Sequence, residues 1–261
     1  MSPRTKRQRR PSRIVLTAHK GGVGKTTAAV NLAAACAELG KRTLLVDVDP
    51  QGAASAALGV SPGQPSLYDV VMGDAEADDA IVASPTANVD VLPADLDLAG
   101  ADITLPRLPQ WQTRLREALA SADGAYDLVI LDSPPGLGVL PFAALVAGDA
   151  VLIAATPAFL TLRALHHVMD TVTQAQAFTP ALRAVGIVPS IVGTRTLHRD
   201  EALVELDKRW PGLRLSALPR RVAFEDAAAA GQPVTTYAPK TSSAAAVRTL
   251  AQEVLDRATN V

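Results

Sequence analysis

Short apolar runs alternate along the chain with longer stretches of helical character. Ile14 to Thr17, Thr43 to Val48, Leu128 to Leu131, Ala150 to Ala155, Val185 to Ser190 and Leu213 to Leu218 are β-branched or aliphatic runs of strand length. Between them, Ala28 to Leu39, Leu108 to Ala122, Leu160 to Ala177, Glu201 to Trp210 and the closing Ser243 to Arg257 have the length and composition of helices, the second of them with Arg114 and Arg116 on its polar side. Residues 53 to 106 are less regular. Ala53 to Leu58 and Leu67 to Met72 predict short helices, Val89 to Leu92 a strand, and the Pro- and Asp-rich pieces between them loops. The pattern is that of an α/β chain, and 261 residues suffice for one domain with a full central sheet. No apolar run reaches the roughly 18 residues that a membrane-spanning helix requires.

Between the first strand and the first helix lies His19-Lys20-Gly21-Gly22-Val23-Gly24-Lys25-Thr26-Thr27. Glycines let backbone N–H groups turn inward at φ values other residues avoid, and a following helix adds its positive end. Gly21, Gly22, Val23 and Gly24 thus read as a polyphosphate cradle. Lys25 is placed to reach the β- and γ-phosphates, Thr26 to hold Mg²⁺, and Thr27 to donate near the α-phosphate. Two positions depart from the common G-x-x-x-x-G-K-[ST] template: His19 stands where a glycine is expected, and Lys20 is a surplus cation. Two ammonium groups on one phosphate repel each other, so Lys20 is expected to point elsewhere, for instance toward a nucleotide held by another subunit.

Carboxylates complete the pattern. The strand at 43–48 ends near Asp47 and Asp49, followed by Pro50-Gln51-Gly52, and strand ends of an open α/β sheet face the ligand crevice. Alternation puts both on one face if the strand stays regular; Pro50 argues that Asp49 already lies in the loop. The apolar run at 128–131 ends at Asp132, which suits a Walker-B aspartate binding Mg²⁺ through its water shell.

Composition narrows the class. Apolar residues make up 48% and charged residues 20%, as in a globular protein. The single cysteine, Cys36, excludes an internal disulfide and fits a reducing cytoplasm. The net charge of −1 conceals six cations within residues 1 to 13, leaving 19 cations against 26 acids elsewhere. Residues 1–12 are expected to form a disordered basic arm, able to meet nucleic acid or an anionic surface, and 13–261 the folded domain. No apolar segment follows the early cations as a signal peptide would need. His166 and His167, adjacent and without metal-ligand spacing, fall on different helical faces and are assigned a structural or solvent role.

The loop K-G-G-x-G-K-T-T, the D-x-D-P-Q segment at 47–51 and Asp132-Ser133-Pro134-Pro135 together resemble the deviant Walker-A ATPases. The tail from Leu218 to Lys240 makes the chain similar to the ParA/Soj-type partition ATPases within the wider ParA/MinD group. That resemblance implies a single-domain α/β P-loop NTPase, its mostly parallel twisted sheet flanked by helices on both faces. It also implies ATP and Mg²⁺ as cofactors and a homodimer formed when ATP is bound. Nonspecific DNA binding follows, as does weak hydrolysis stimulated by a ParB-type centromere-binding protein, in a cytoplasmic, nucleoid-associated setting.

By resemblance Lys20 crosses the dimer interface, and Asp49 orients the attacking water and joins Thr26 and Asp132 around the metal, with Asp47 in support. Ser133 replaces a cysteine usual in the family without changing the chemistry. Pro219 and Arg220 border the adenine. Arg195, Arg221, Lys240 and Arg248 contribute a DNA-binding surface. A MinD-like membrane ATPase is the alternative, but it needs a C-terminal amphipathic helix that Val247 to Leu255 does not supply. An iron–sulfur electron carrier of the nitrogenase-reductase kind needs more cysteines than Cys36. A ligase-type relative would turn over ATP only with a metabolite.

Overall fold

The computed structural model describes residues 12–190 and 197–259. Among these residues seven strands, β1 (Ser12–Thr17), β2 (Thr43–Asp47), β3 (Val82–Ala83), β4 (Val89–Leu92), β5 (Leu128–Asp132), β6 (Ala150–Ala155) and β7 (Arg183–Pro189), lie in the order β3-β4-β2-β5-β1-β6-β7. All neighbours pair in parallel except β3, which runs antiparallel to β4 at the edge. The helices are α1 (Lys25–Glu38), α2 (Ala53–Ala57), α3 (Leu67–Met72), α4 (Ala77–Ala80), α5 (Ala101–Thr104) and α6 (Trp111–Ala118) in the first half. The second half adds α7 (Val139–Ala147), α8 (Phe159–Ala175), α9 (Leu197–Arg209), α10 (Val222–Ala229), α11 (Val234–Tyr237) and α12 (Ser242–Thr259).

The sheet is buried on both faces, which is why its strands are continuously apolar. Strand side chains alternate sides: Val15 joins a core with residues of α6, α7 and α8, while Ile14 and Leu16 join another with α1 and α12. Helix α1 is rich in alanine because it is covered nearly all round, with Ala28 to Ala37 buried between the sheet and α12. Its lack of a polar face follows from that position.

Several expectations need correction. Leu213 to Leu218 is not a ladder strand but a bridged segment beside β7. Ile187 N donates to Leu213 O (2.7 Å), Leu215 N to Ile187 O (2.9 Å) and Leu218 N to Pro189 O (2.8 Å). The ladder stops because the next donor on β7 would be Pro189, which has no N–H to offer, while Ser216 N, on the side away from β7, donates to Glu253 Oε2 of α12 (2.8 Å). The helix expected over 108–122 is confined to Trp111–Ala118. Arg114 is not solvated on a polar face: it donates to the carbonyls of Val71 and Met72 at the end of α3. Arg116 does the same for Val146, Ala147 and Gly148 at the end of α7. Both guanidinium groups satisfy carbonyls a helix end leaves open. Arg13, counted with the basic arm, is buried in β1, where it pairs with Asp123 at 2.8 Å. The rest of the arm, residues 1–11, lies outside the described residues.

Gly186 lets Leu215 lie directly on β7. A Cβ there would overlap Leu215 Cδ1 and stand 2.7 Å from Cγ. Gly186→Ala is therefore expected to cost about 1–3 kcal/mol through overpacking, read as a lower urea midpoint at unchanged slope.

Candidate functional site

The P-loop spans the tip of β1 and the first turn of α1. Gly22 (φ 73°) and Gly24 (φ 80°) take the left-handed conformation that turns the loop back on itself, which a side chain would disfavour. Val23 faces inward, packed with Ala18 and Ala154, and its carbonyl accepts from the Ser190 hydroxyl. The loop is thus anchored from β6 and from the end of β7. Val23 can contribute only its backbone to a ligand.

Beneath the loop, strand order makes the site. β5 lies between β1 and β2, and the register sets Asp132 beside Leu16 on one side and Asp47 on the other. Asp132 is fully buried. Its Oδ1 accepts from Lys25 Nζ at 2.7 Å and its Oδ2 from Thr26 Oγ1 at 2.8 Å, while Lys25 Nζ stands 3.4 Å from Thr26 Oγ1. Burial pushes the Asp132 carboxyl above the usual carboxylate range, against the pull of the Lys25 ammonium and the Thr26 hydroxyl. A buried carboxylate joined to a threonine hydroxyl is a hard-oxygen pair suited to Mg²⁺. Ser133 Oγ donates to Leu16 O at 2.8 Å, so the serine also ties β5 to β1.

The two β2 acids diverge. Asp47, the last strand residue, is buried and accepts from Ser55 N and Ser55 Oγ, both at 2.8 Å, and from Asp49 N at 3.3 Å. Burial, then the charge of Asp132, raise its carboxyl to about 7, the Ser55 and Asp49 hydrogen bonds opposing them. Asp47 braces α2 rather than facing the cleft. Asp49 lies past the strand, half-buried in the wall of the cleft, with Oδ1 accepting from Gln51 N at 3.1 Å. It is the carboxylate available to a ligand.

The cleft encloses roughly 560 Å³. One wall is Lys20, Gly21, Gly22, Gly24, Lys25, Thr26 and Thr27; facing them are Leu218, Pro219, Arg220, Arg221, Phe224 and Glu225. Phe224 and Glu225 of α10, with Ser190 and Pro135, are lining residues the sequence reading missed. No local motif marks them, although their nearness to Pro219 was a signal. Lys20 is exposed at the cleft and has no hydrogen-bond or ion-pair partner among the described residues.

Three of the four residues expected to meet DNA lie among the described residues, each in different surroundings. Arg221 lines the cleft next to Arg220, to whose carbonyl it donates at 3.0 Å. Arg248 is held by Glu38 through two bonds of 2.7 and 3.1 Å and donates to Pro239 O at 2.9 Å, clamping α12 to α1. Lys240 is exposed nearby, and Arg195 lies outside the described residues.

Residues 12–183 match the family described as an AAA domain. The chromosome-partitioning ATPase Soj of Thermus thermophilus is 39% identical over 248 residues, covering 94% of this chain and 96% of that one. The chromosome partitioning protein ParA of Caulobacter vibrioides is 37% identical over 254 residues, 95% of each. The chain belongs to the ParA/Soj family. A solved structure of cobyrinic acid a,c-diamide synthase from Mycobacterium smegmatis, with bound ATP analogue and magnesium, is 33% identical to this ParA/Soj protein. It matches with a TM-score of 0.83 over 94% of each chain. The cell division ATPase MinD of Pyrococcus furiosus, 28% identical, matches with a TM-score of 0.80 over 94% of this chain and 98% of that one, so the seven-stranded sheet with the P-loop at the tip of β1 is the ParA/MinD-group fold.

Proposed function

We propose that this ParA/Soj protein is an ATP-dependent DNA partition ATPase working in the cytoplasm on the nucleoid. ATP and Mg²⁺ bound at the P-loop drive a sandwich homodimer that holds DNA nonspecifically. Slow hydrolysis, stimulated by a ParB-type partner, releases it. The observation that carries this reading is the pairing of the Lys25–Thr26–Asp132 site with a second lysine on the same loop that has no partner among the described residues.

The positions of the described side chains support these roles. Lys25 would turn from Asp132 to the phosphates, while Thr26 and Asp132 would hold Mg²⁺, whose charge would offset that of the transferred phosphoryl group. Asp49 orients the attacking water from the cleft wall. Pro219 and Arg220 border the base, and Lys20 serves the partner's nucleotide. Residues 13–261 act as the ATPase domain. The basic arm, with Arg195, Arg221, Lys240 and Arg248, adds to the DNA surface, where binding rests on counterion release.

Asp49→Ala is expected to bind ATP and pair normally yet hydrolyse about a hundredfold more slowly, in a phosphate-release assay. Normal turnover would remove Asp49 from the mechanism.

The rivals fit less well. A MinD-like membrane role needs a free apolar helix face, but Val247, Leu250, Ala251 and Val254 of α12 are buried in the core. An amide synthase drawing ammonia from glutamine needs a reactive thiol. Cys36 is buried in α1, and burial pushes its thiol up to about 12. The deciding experiment is retention on a nonspecific duplex with and without ATP over a salt series. Retention only with ATP, falling linearly in log salt, is expected. ATP-independent retention, or ATP turnover requiring a metabolite, would overturn the reading.

A further inference from the structure

We infer that the contact between His19 and His167 is a clasp that aims Lys20, so that both histidines are positioning residues for pairing. The inference rests on the role in trans proposed for Lys20. The two imidazole rings lie with centroids 6.1 Å apart at an interplanar angle of 30°. That separation is within the range over which rings attract.

The chain around Lys20 shows why this contact matters. On its N-terminal side Ala18 is buried and its carbonyl accepts from Gly136 N at 3.1 Å, which fixes the strand tip. On its C-terminal side the next inward-packed residue is Val23. Of the four residues between these anchors, Gly21 and Gly22 carry no side chain and Lys20 makes no bond among the described residues. Of the polar and ring contacts among the described residues, that of the His19 ring is the one by which a side chain of this span reaches another element. A four-carbon stem on a glycine-flanked backbone has many directions open to it, and ordering it only at the moment of pairing costs affinity.

The platform under the clasp is firm. Helix α8 is packed through Leu165, Val168 and Val172, and its carbonyl at His167 accepts from Thr171 Oγ1 at 2.8 Å. Successive helical residues diverge by about 100°. His166 accordingly meets Trp210 (centroids 4.9 Å apart) and lies 3.4 Å from Arg209 Nη1, while His167 faces the P-loop. The pair read from sequence as structural or solvated thus splits, one ring bracing α8 against the end of α9 and the other meeting the loop that carries Lys20.

The test measures pairing of the full chain with a slowly hydrolysed ATP analogue, by sedimentation equilibrium, for His167→Ala, His167→Phe, Lys20→Ala and the Lys20→Ala/His167→Ala double variant. His167→Ala is expected to weaken the dimer about two- to tenfold while leaving nucleotide affinity and the thermal midpoint unchanged. His167→Phe restores the ring contact and with it the pairing. In the Lys20→Ala background, removing His167 changes nothing further, because the clasp acts through that lysine. An additive loss in the double variant, failure of phenylalanine to restore pairing, or undiminished pairing in His167→Ala would overturn the clasp while leaving Lys20 in place. Undiminished pairing in Lys20→Ala would instead overturn the trans-lysine reading, and the clasp with it.

Discussion

Lys25→Ala is expected to abolish ATP binding in a calorimetric titration, and to do so through two effects that can be separated. In the wild-type cleft the ammonium is 2.7 Å from a carboxylate with no exposure to solvent. Deleting it leaves Asp132 buried and uncompensated, a loss on the order of 3–5 kcal/mol when one partner of a buried pair is removed. The carboxyl then moves further above its usual range and takes up a proton at a pH where the wild type is ionised. A second loss falls on the ligand, whose β- and γ-phosphates have no cation from the cradle. Asp132→Asn combined with Lys25→Ala removes the unpaired charge and should recover much of the stability in urea denaturation. It should recover none of the nucleotide affinity. ATP binding that survives in folded Lys25→Ala would remove the lysine from the cradle.

Lys20→Ala is the second large effect, of opposite character. Lys20 is exposed and holds nothing together among the described residues, so its removal should leave stability and monomeric nucleotide affinity near wild type. Dimerisation with ATP, followed by light scattering, should weaken by about a hundredfold, and turnover should drop by about a thousandfold, the lower range for a cation supplied in trans to a transferring phosphoryl group. A lysine serving its own subunit's nucleotide would show the reverse: weaker ATP binding with the monomer–dimer balance intact.

Much of the site was legible because its chemistry is local. Gly22, Gly24, Lys25 and Thr26 lie within five residues, and a loop between a strand and a helix brings them to one phosphate whatever the rest of the chain does. The strand-end acids Asp47, Asp49 and Asp132 could be named for the same reason, since an apolar run that stops at a carboxylate puts it at the sheet's edge. Their division of labour was not visible. Asp47 and Asp49 differ by two positions, yet Ser55 captures the first and leaves the second to the cleft. Arg114 and Arg116 looked like surface cations because a sequence shows the helix they belong to, not the carbonyl ends of α3 and α7 that receive them. Helix α7 was not read at all: nine mostly buried residues carry no amphipathic period, since no face of that helix needs to be polar.

By itself, then, the amino-acid order settled the alternation of strands and helices, the phosphate cradle, the surplus lysine and the membership those motifs imply. Each depends on backbone conformations and side chains a few residues apart. Only the tertiary structure decided that β5 lies between β1 and β2, bringing Asp132 onto Lys25 across more than a hundred positions. It also closed the cleft with Phe224 and Glu225, and set His167 against the loop of Lys20. These juxtapositions come from which apolar faces bury one another, a property of the assembled sheet and helices and not of any one segment.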